Sequence, residues 1–150
     1  MADIEDCTIE LFDSSVFVEA IADTSGKKDD AKEAINDVKT AENRIPIAHE
    51  LIIGEVREFI TSEDSFEDEV SRELAERDFQ RLLEGFRFIE IDLEDFIDGL
   101  EYISEEKTRI ASEFNDSLIV GIALSKDAID KIHTTDDWSL RDRDTKINSI

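Results

Sequence analysis

The sequence predicts an α/β fold, with a central, mostly parallel sheet of four to five strands covered by helices on both faces. Three observations carry this expectation. Short β-prone runs alternate with longer segments whose apolar residues recur at helical spacing, the pattern of βαβ units. One proline and five glycines are too few for a loop-rich all-β chain. The stretch Phe114 to Leu124 is almost wholly apolar after its opening Asn-Asp, as a helix buried inside a layered protein should be.

Thr8 to Asp13 (TIELFD) has β character and stops at an acid, which predicts a first strand. Ser14 to Ala22 then sets Val16, Phe17, Ala20 and Ile21 at helical spacing, with Ser14 and Ser15 as potential N-caps. Thr24 to Lys39 predicts a second helix, with Ala31, Ala34, Ile35 and Val38 on one side and charges on the other. Arg44 to Ala48 (RIPIA) reads as a strand, and Pro46, which lacks an N–H, belongs at a sheet edge or strand end. From about Glu50 the helical period resumes through Leu51, Ile52, Val56, Phe59 and Ile60. It is expected to continue over Ser62 to Phe86, burying Phe66, Val70, Leu74, Phe79, Leu82 and Leu83. Arg87 to Ile91 alternates like a half-buried strand, and Phe96, Ile97, Leu100, Tyr102 and Ile103 mark another helix. After the apolar helix, Ile129 to Thr134 and Thr145 to Ile150 predict the last strands. No composition break divides the chain, so one domain is expected over residues 1–150.

Forty acidic residues against seventeen basic ones give a formal net charge of -23. The acids are spread along the chain rather than gathered in a tail. Dispersed charge of this size predicts a protein working in molar salt, as in the cytoplasm of a halophilic archaeon, where a Debye length of about 3 Å relieves self-repulsion. The competing account is a basic partner. Such a surface repels nucleic acid at low ionic strength, so a nuclease with this composition needs salt or divalent metal to offset the repulsion. The start carries no basic or long apolar segment, and the longest apolar run falls far short of a membrane span, so a soluble, cytoplasmic protein is expected. A single cysteine, Cys7, excludes an internal disulfide and any multi-thiolate metal site. Neither GxGxxG nor GxxxxGK occurs, so nothing points to a nucleotide-binding loop.

In an open parallel sheet, functional groups gather at the carboxyl ends of the strands near a topological switch point. Four acids stand where that rule would bring them together. Asp13 ends the first strand, Glu55 lies in the first turns of the helix after the second, Asp116 opens the apolar helix, and Asp136 follows the fourth strand. Carboxylates held that close repel one another and must share protons or a cation. Hard divalent ions such as Mg²⁺ or Mn²⁺ prefer all-oxygen ligands of this kind and can activate water against a phosphodiester.

These residues resemble the PIN domain family. The likeness rests on ELFDSSVFVEAI, LIIGEVREFI, FNDSLIVGIAL and IHTTDDW, in that order, from about Thr8 to Trp138. The first and third are the most specific. The resemblance implies a PIN-like three-layer α/β/α sandwich with Asp13, Glu55, Asp116 and Asp136 as Mg²⁺ or Mn²⁺ ligands. Ser15 matches the hydroxyl that supports the first Asp, and Thr134 matches the Thr that begins the last motif. Two points stay open. Glu50 is an alternative to Glu55, and the compressed last motif leaves Asp137 either replacing or assisting Asp136. The family implies a VapC-type toxin: a metal-dependent endoribonuclease with an RNA substrate, a homodimeric state, and a cognate antitoxin whose inserted segment should carry Arg or Lys. The alternative is a catalytically inactive PIN-fold interaction module or a non-toxin RNA-processing factor.

Plainer roles compete with each of these. Asp116 could serve only as an N-cap and Asp13 only as a turn former. His49 and His133 are better read as a helix-start residue and a satisfied strand residue than as bases, since neither has an evident third partner. Cys7 sits among acids, which disfavour its thiolate. Trp138 suits a core anchor, and Arg141 and Arg143 either contact phosphate or balance Asp142 and Asp144.

Overall fold

A computed structural model describes residues 6–90, 92–106, 122, 127–135 and 147–150. The chain runs β1 (Thr8–Phe12), α1 (Ser14–Ala22), α2 (Lys28–Thr40), β2 (Arg44–His49), α3 (Glu50–Thr61), α4 (Glu69–Leu83), β3 (Arg87–Ile89), α5 (Leu93–Glu106), β4 (Lys131–Thr134) and β5 (Ile147–Ser149). The five strands form one sheet in the order β3-β2-β1-β4-β5, and every neighbouring pair is parallel. The expected mostly parallel sheet of four to five strands, flanked by helices, is therefore what the chain adopts. Strand order turns back at β1, with β2 on one side and β4 on the other, so the topological switch point lies between the ends of β1 and β4.

Registers explain which side chains meet. Phe12 lies opposite His133 and His133 opposite Asn148, placing all three on one face of the sheet with Glu10. On that face Phe12 meets Phe86 at 5.4 Å between ring centroids, while Phe17 of α1 meets Phe79 of α4 at 5.6 Å and Phe86 at 5.3 Å. These rings tie β1, α1 and α4 into one core with Leu11, Ile35, Ile52, Ile60 and Ile132. Burial of this apolar surface is the main favourable term holding the layers together.

Several expectations need correction. The N-cap of α1 is Asp13, not Ser14 or Ser15: its backbone is extended and its carboxylate accepts from the Ser15 N–H. The second helix begins at Lys28, because residues 24–27 form a turn held by Glu19. Pro46 lies inside β2 and not at its end; β3 pairs only with Ile47 to His49, so the Pro46 half of the strand has β1 alone as neighbour and the edge rule holds locally. The long helix expected after Glu50 is broken at residues 62–68. Asp68 caps α4 anew through the Ser71 N–H at 2.7 Å, and Arg72 donates to the Ile60 carbonyl at 3.0 Å, fastening the two helices at the break. That break resets the helical phase: Ala75 and Phe79 are buried, whereas Val70 and Leu74 are exposed. Phe88 is half exposed, so β3 is a weaker strand than its alternation suggests. Ile91, the side chains of Tyr102 and Ile103, and nearly all of Phe114 to Leu124 lie outside the described residues; Ile122 is helical and buried.

Candidate functional site

β1 delivers Asp13 to the carboxyl edge of the sheet, and the start of α1 turns the next two residues back across it. Asp13 is fully buried. Its Oδ2 accepts from Ser15 Oγ at 2.7 Å and from Thr134 Oγ1 at 3.3 Å, and Ser15 Oγ lies 3.2 Å from Thr134 Oγ1. The Thr135 N–H donates to Ser15 Oγ at 3.1 Å, and the Asp13 N–H donates to the His133 carbonyl at 2.9 Å. The ends of β1 and β4 are thus stitched together around one carboxylate at the switch point. Ser15 and Thr134 fix its rotamer, so a ligand meeting Asp13 finds it already oriented.

Glu55 joins from α3. Ser14 Oγ donates to Glu55 Oε2 at 3.0 Å, so the adjacent serines of α1 hold two different carboxylates. Glu50, the other candidate from that helix, is exposed at its first turn. Geometry therefore sets Glu55, and not Glu50, against α1. Asp116, Asp136 and Asp137 lie outside the described residues. Among the described residues no three His, Cys, Asp or Glu side chains gather closely enough to hold an ion. The donors that do converge are carboxylate and hydroxyl oxygens, a set suited to a hard divalent ion and not to a thiophilic one.

Both histidines have structural settings. His133 stacks on Phe12 at 4.4 Å and 20°, with Nε2 2.8 Å from Glu10 Oε1 and Nδ1 3.0 Å from Asn148 Nδ2. Burial lowers its pKa despite Glu10, so the ring is neutral, donates from Nε2 and accepts from the amide at Nδ1. His49 is buried where β2 turns into α3.

Two further acids emerge that their sequence context did not single out. Glu10, in mid-β1, accepts a bidentate pair from Arg44, Nε at 2.6 Å and Nη2 at 2.7 Å, and also accepts from Thr8 Oγ1. Burial alone would raise its pKa, but the hydrogen bonds from Arg44, His133 and Thr8 outweigh it and bring the pKa down to about 2. Arg44, Glu10, His133 and Asn148 consequently form a polar chain across four strands. Glu19 of α1 is the other. It accepts from Thr24 Oγ1 at 2.6 Å, from the Ser25 N–H at 2.9 Å and from the Lys27 N–H at 2.8 Å. Burial again opposes ionisation and these donors again win, leaving its pKa at about 2. Gly26, at φ 78°, supplies the left-handed backbone this tight turn needs. The only signal for either acid was its position, Glu10 inside an apolar strand and Glu19 on the apolar side of a helix.

A family model described as PIN domain matches residues 11–144. Sequence comparison with curated proteins finds no match. Among solved structures, the fold is similar to that of VapBC2 from Rickettsia felis, crystallised bound to a DNA fragment from its promoter, at TM-score 0.64 and 16% identity over 86% of this chain and 89% of that one. It is similar also to Mycobacterium tuberculosis VapC20, described as a sarcin-ricin loop cleaving toxin, at TM-score 0.63 and 14% identity over 87% of this chain and 92% of that one.

Proposed function

Since the chain belongs to the PIN domain family, we propose that it is a metal-dependent endoribonuclease, the toxin of a toxin-antitoxin pair. The observation that carries this reading is the pair of oriented carboxylates at the switch point, Asp13 held by Ser15 and Thr134, and Glu55 held by Ser14. The likeness to VapC20, described as a sarcin-ricin loop cleaving toxin, supports it. Asp13 and Glu55, with Asp116 and Asp136 as the further ligands and Asp137 beside them, would hold Mg²⁺ or Mn²⁺. Such an ion supplies Lewis acidity and an activated water for in-line attack on a phosphodiester. The protein's own part is to keep these carboxylates fixed before the substrate arrives. Ser15 and Thr134 do this for Asp13, and Ser14 does it for Glu55.

The proposal includes a homodimer and a cognate antitoxin with a basic inserted segment. Supporting a protein partner, Leu93, Phe96, Ile97 and Leu100 of α5 are exposed, more apolar surface than one helix usually leaves to water. Glu94, Asp98 and Glu101 on the same helix suit a partner bearing Lys or Arg.

The test is RNA cleavage in molar KCl with Mn²⁺, comparing wild type with Asp13→Ala, Glu55→Ala and Asp116→Asn. Cleavage by wild type should require the metal, and the variants should lose it by about a hundredfold or more. A folded wild type that neither cleaves RNA nor gains thermal stability from millimolar Mn²⁺ would sink the proposal and favour the non-catalytic interaction module.

A further inference from the structure

Beside Asp13 opens a cavity of about 350 Å³, lined in part by the serines that hold Glu55 and Asp13. Ser14, Ser15 and Thr135, which belong to the candidate site, line it together with Glu19, Ser25 and Lys27. Its size falls within the range of small-molecule sites. The cavity and the candidate site therefore share residues at the start of α1 and just beyond β4.

Lys27 is the cation lining this cavity, and it is held at both ends. Its backbone N–H donates to Glu19 Oε1 at 2.8 Å, and its Nζ donates to the Thr135 carbonyl at 3.3 Å. Half-buried, it is fixed more firmly than surface lysines usually are. Glu19 lines the same cavity, but its carboxylate is engaged by donors from the turn at residues 24–27. Among the described residues no carboxylate forms an ion pair with Lys27; its Nζ rests on a neutral oxygen. In a chain of net charge -23, an ammonium beside the candidate site that no described carboxylate pairs is available to an anion. An anion can displace the weak 3.3 Å carbonyl contact without breaking a salt bridge.

We propose that this cavity seats the nucleotide adjoining the scissile bond of a bound RNA strand, with Lys27 binding that nucleotide's backbone phosphate and the hydroxyl-rich wall facing its sugar. The assignment rests on the nuclease reading and adds a positioning residue to it. Glu19 acts through Lys27, as the clamp that fixes the turn from which the ammonium reaches.

The test compares wild type, Lys27→Gln and Lys27→Arg, using a single-stranded RNA oligonucleotide and Mn²⁺ over a series of KCl concentrations. Both cleavage kinetics and fluorescence binding are read. The substitution spares the backbone N–H on Glu19, and unchanged thermal midpoints would verify that the turn persists. Lys27→Gln should raise KM about five- to tenfold with kcat nearly unchanged, and Lys27→Arg should restore KM. Loss of one phosphate contact should also shift the slope of log Kd against log salt by about 0.7, the single-strand value. Wild-type cleavage with Kd, KM and salt slope all indifferent to Lys27 would overturn the subsite and leave the nuclease reading standing. A folded wild type that binds RNA with this Lys27-dependent slope and does not cleave would overturn the nuclease reading and reduce the cavity to a phosphate-binding site on a non-catalytic RNA-binding surface. A wild type that neither binds nor cleaves would overturn both.

Discussion

Glu10 lies in the middle of the central strand, where a carboxylate has to be matched by its neighbours or it would not stay ionised. Arg44 and His133 supply that match from the strands on either side. Glu10→Gln keeps the shape but leaves a partly buried guanidinium without its counter-charge, at a cost of about 3 kcal/mol in urea unfolding. The pH dependence follows. Folded Glu10 and Glu19 titrate at about 2 against an ordinary 4.5, so between those values the unfolded chain binds more protons. Their contribution is complete above about pH 4.5 and is lost as pH falls toward 2. His133 acts in the same direction at higher pH: burial keeps it neutral in the fold, so the unfolded chain gains a proton first below 6.5. The stability gap between wild type and Glu10→Gln should be constant near neutrality and shrink below pH 4.5; a gap independent of pH down to 3 would contradict the assignment. At this scale the sequence was half legible. Asp13 could be read because a strand ends on it beside two serines. Glu10 and Glu19 were not singled out, because among forty acids a place on an apolar strand or helix face is a weak signal of a buried, paired carboxylate.

At the scale of elements, α1 connects the site to the core. Its first turn carries the serines that hold Asp13 and Glu55, and its next turn buries Phe17 between Phe79 and Phe86. Phe17→Ala should cost about 3–5 kcal/mol, by lost burial and the cavity left behind. Because the ring sits three residues from Ser14, cleavage should weaken before global unfolding does; an undiminished rate in a protein destabilised that much would uncouple α1 packing from the site. Helical periodicity located α1 and α3 well, since each buries one continuous stripe. It misjudged α4, because the seven residues 62–68 break the helix and rotate the stripe, so Val70 and Leu74 face water while Ala75 and Phe79 face the core. A period says where a face lies only while the helix is uninterrupted. The start of α2 was misplaced for a different reason: the turn before it is held by Glu19, a tertiary contact that no local preference encodes.

At the scale of the molecule, strand and helix alternation was enough to anticipate a parallel sheet, because crossovers of this length leave few other arrangements. The strand order came only from the ladder pairings, whereas the meeting of Asp13 with the motif that begins at Thr134 was already implied by the family resemblance. Net charge bears on conditions and not on topology. If the dispersed acids reflect life in molar salt, self-repulsion should limit stability in dilute buffer and screening should relieve it. The Debye length falls from about 10 Å at 0.1 M to about 3 Å at 1 M. Each kcal/mol of repulsion removed should raise the melting temperature of a chain this size by roughly 2–4 °C. The expected curve in KCl is therefore a rise concentrated below about 1 M, flattening once the screening length is shorter than the spacing between surface charges. A steady rise continuing well beyond 1 M would instead implicate salting-out of apolar surface, such as the exposed face of α5. A flat curve would mean that the acids do not strain the isolated chain, and would turn the -23 charge into an argument for a basic protein partner.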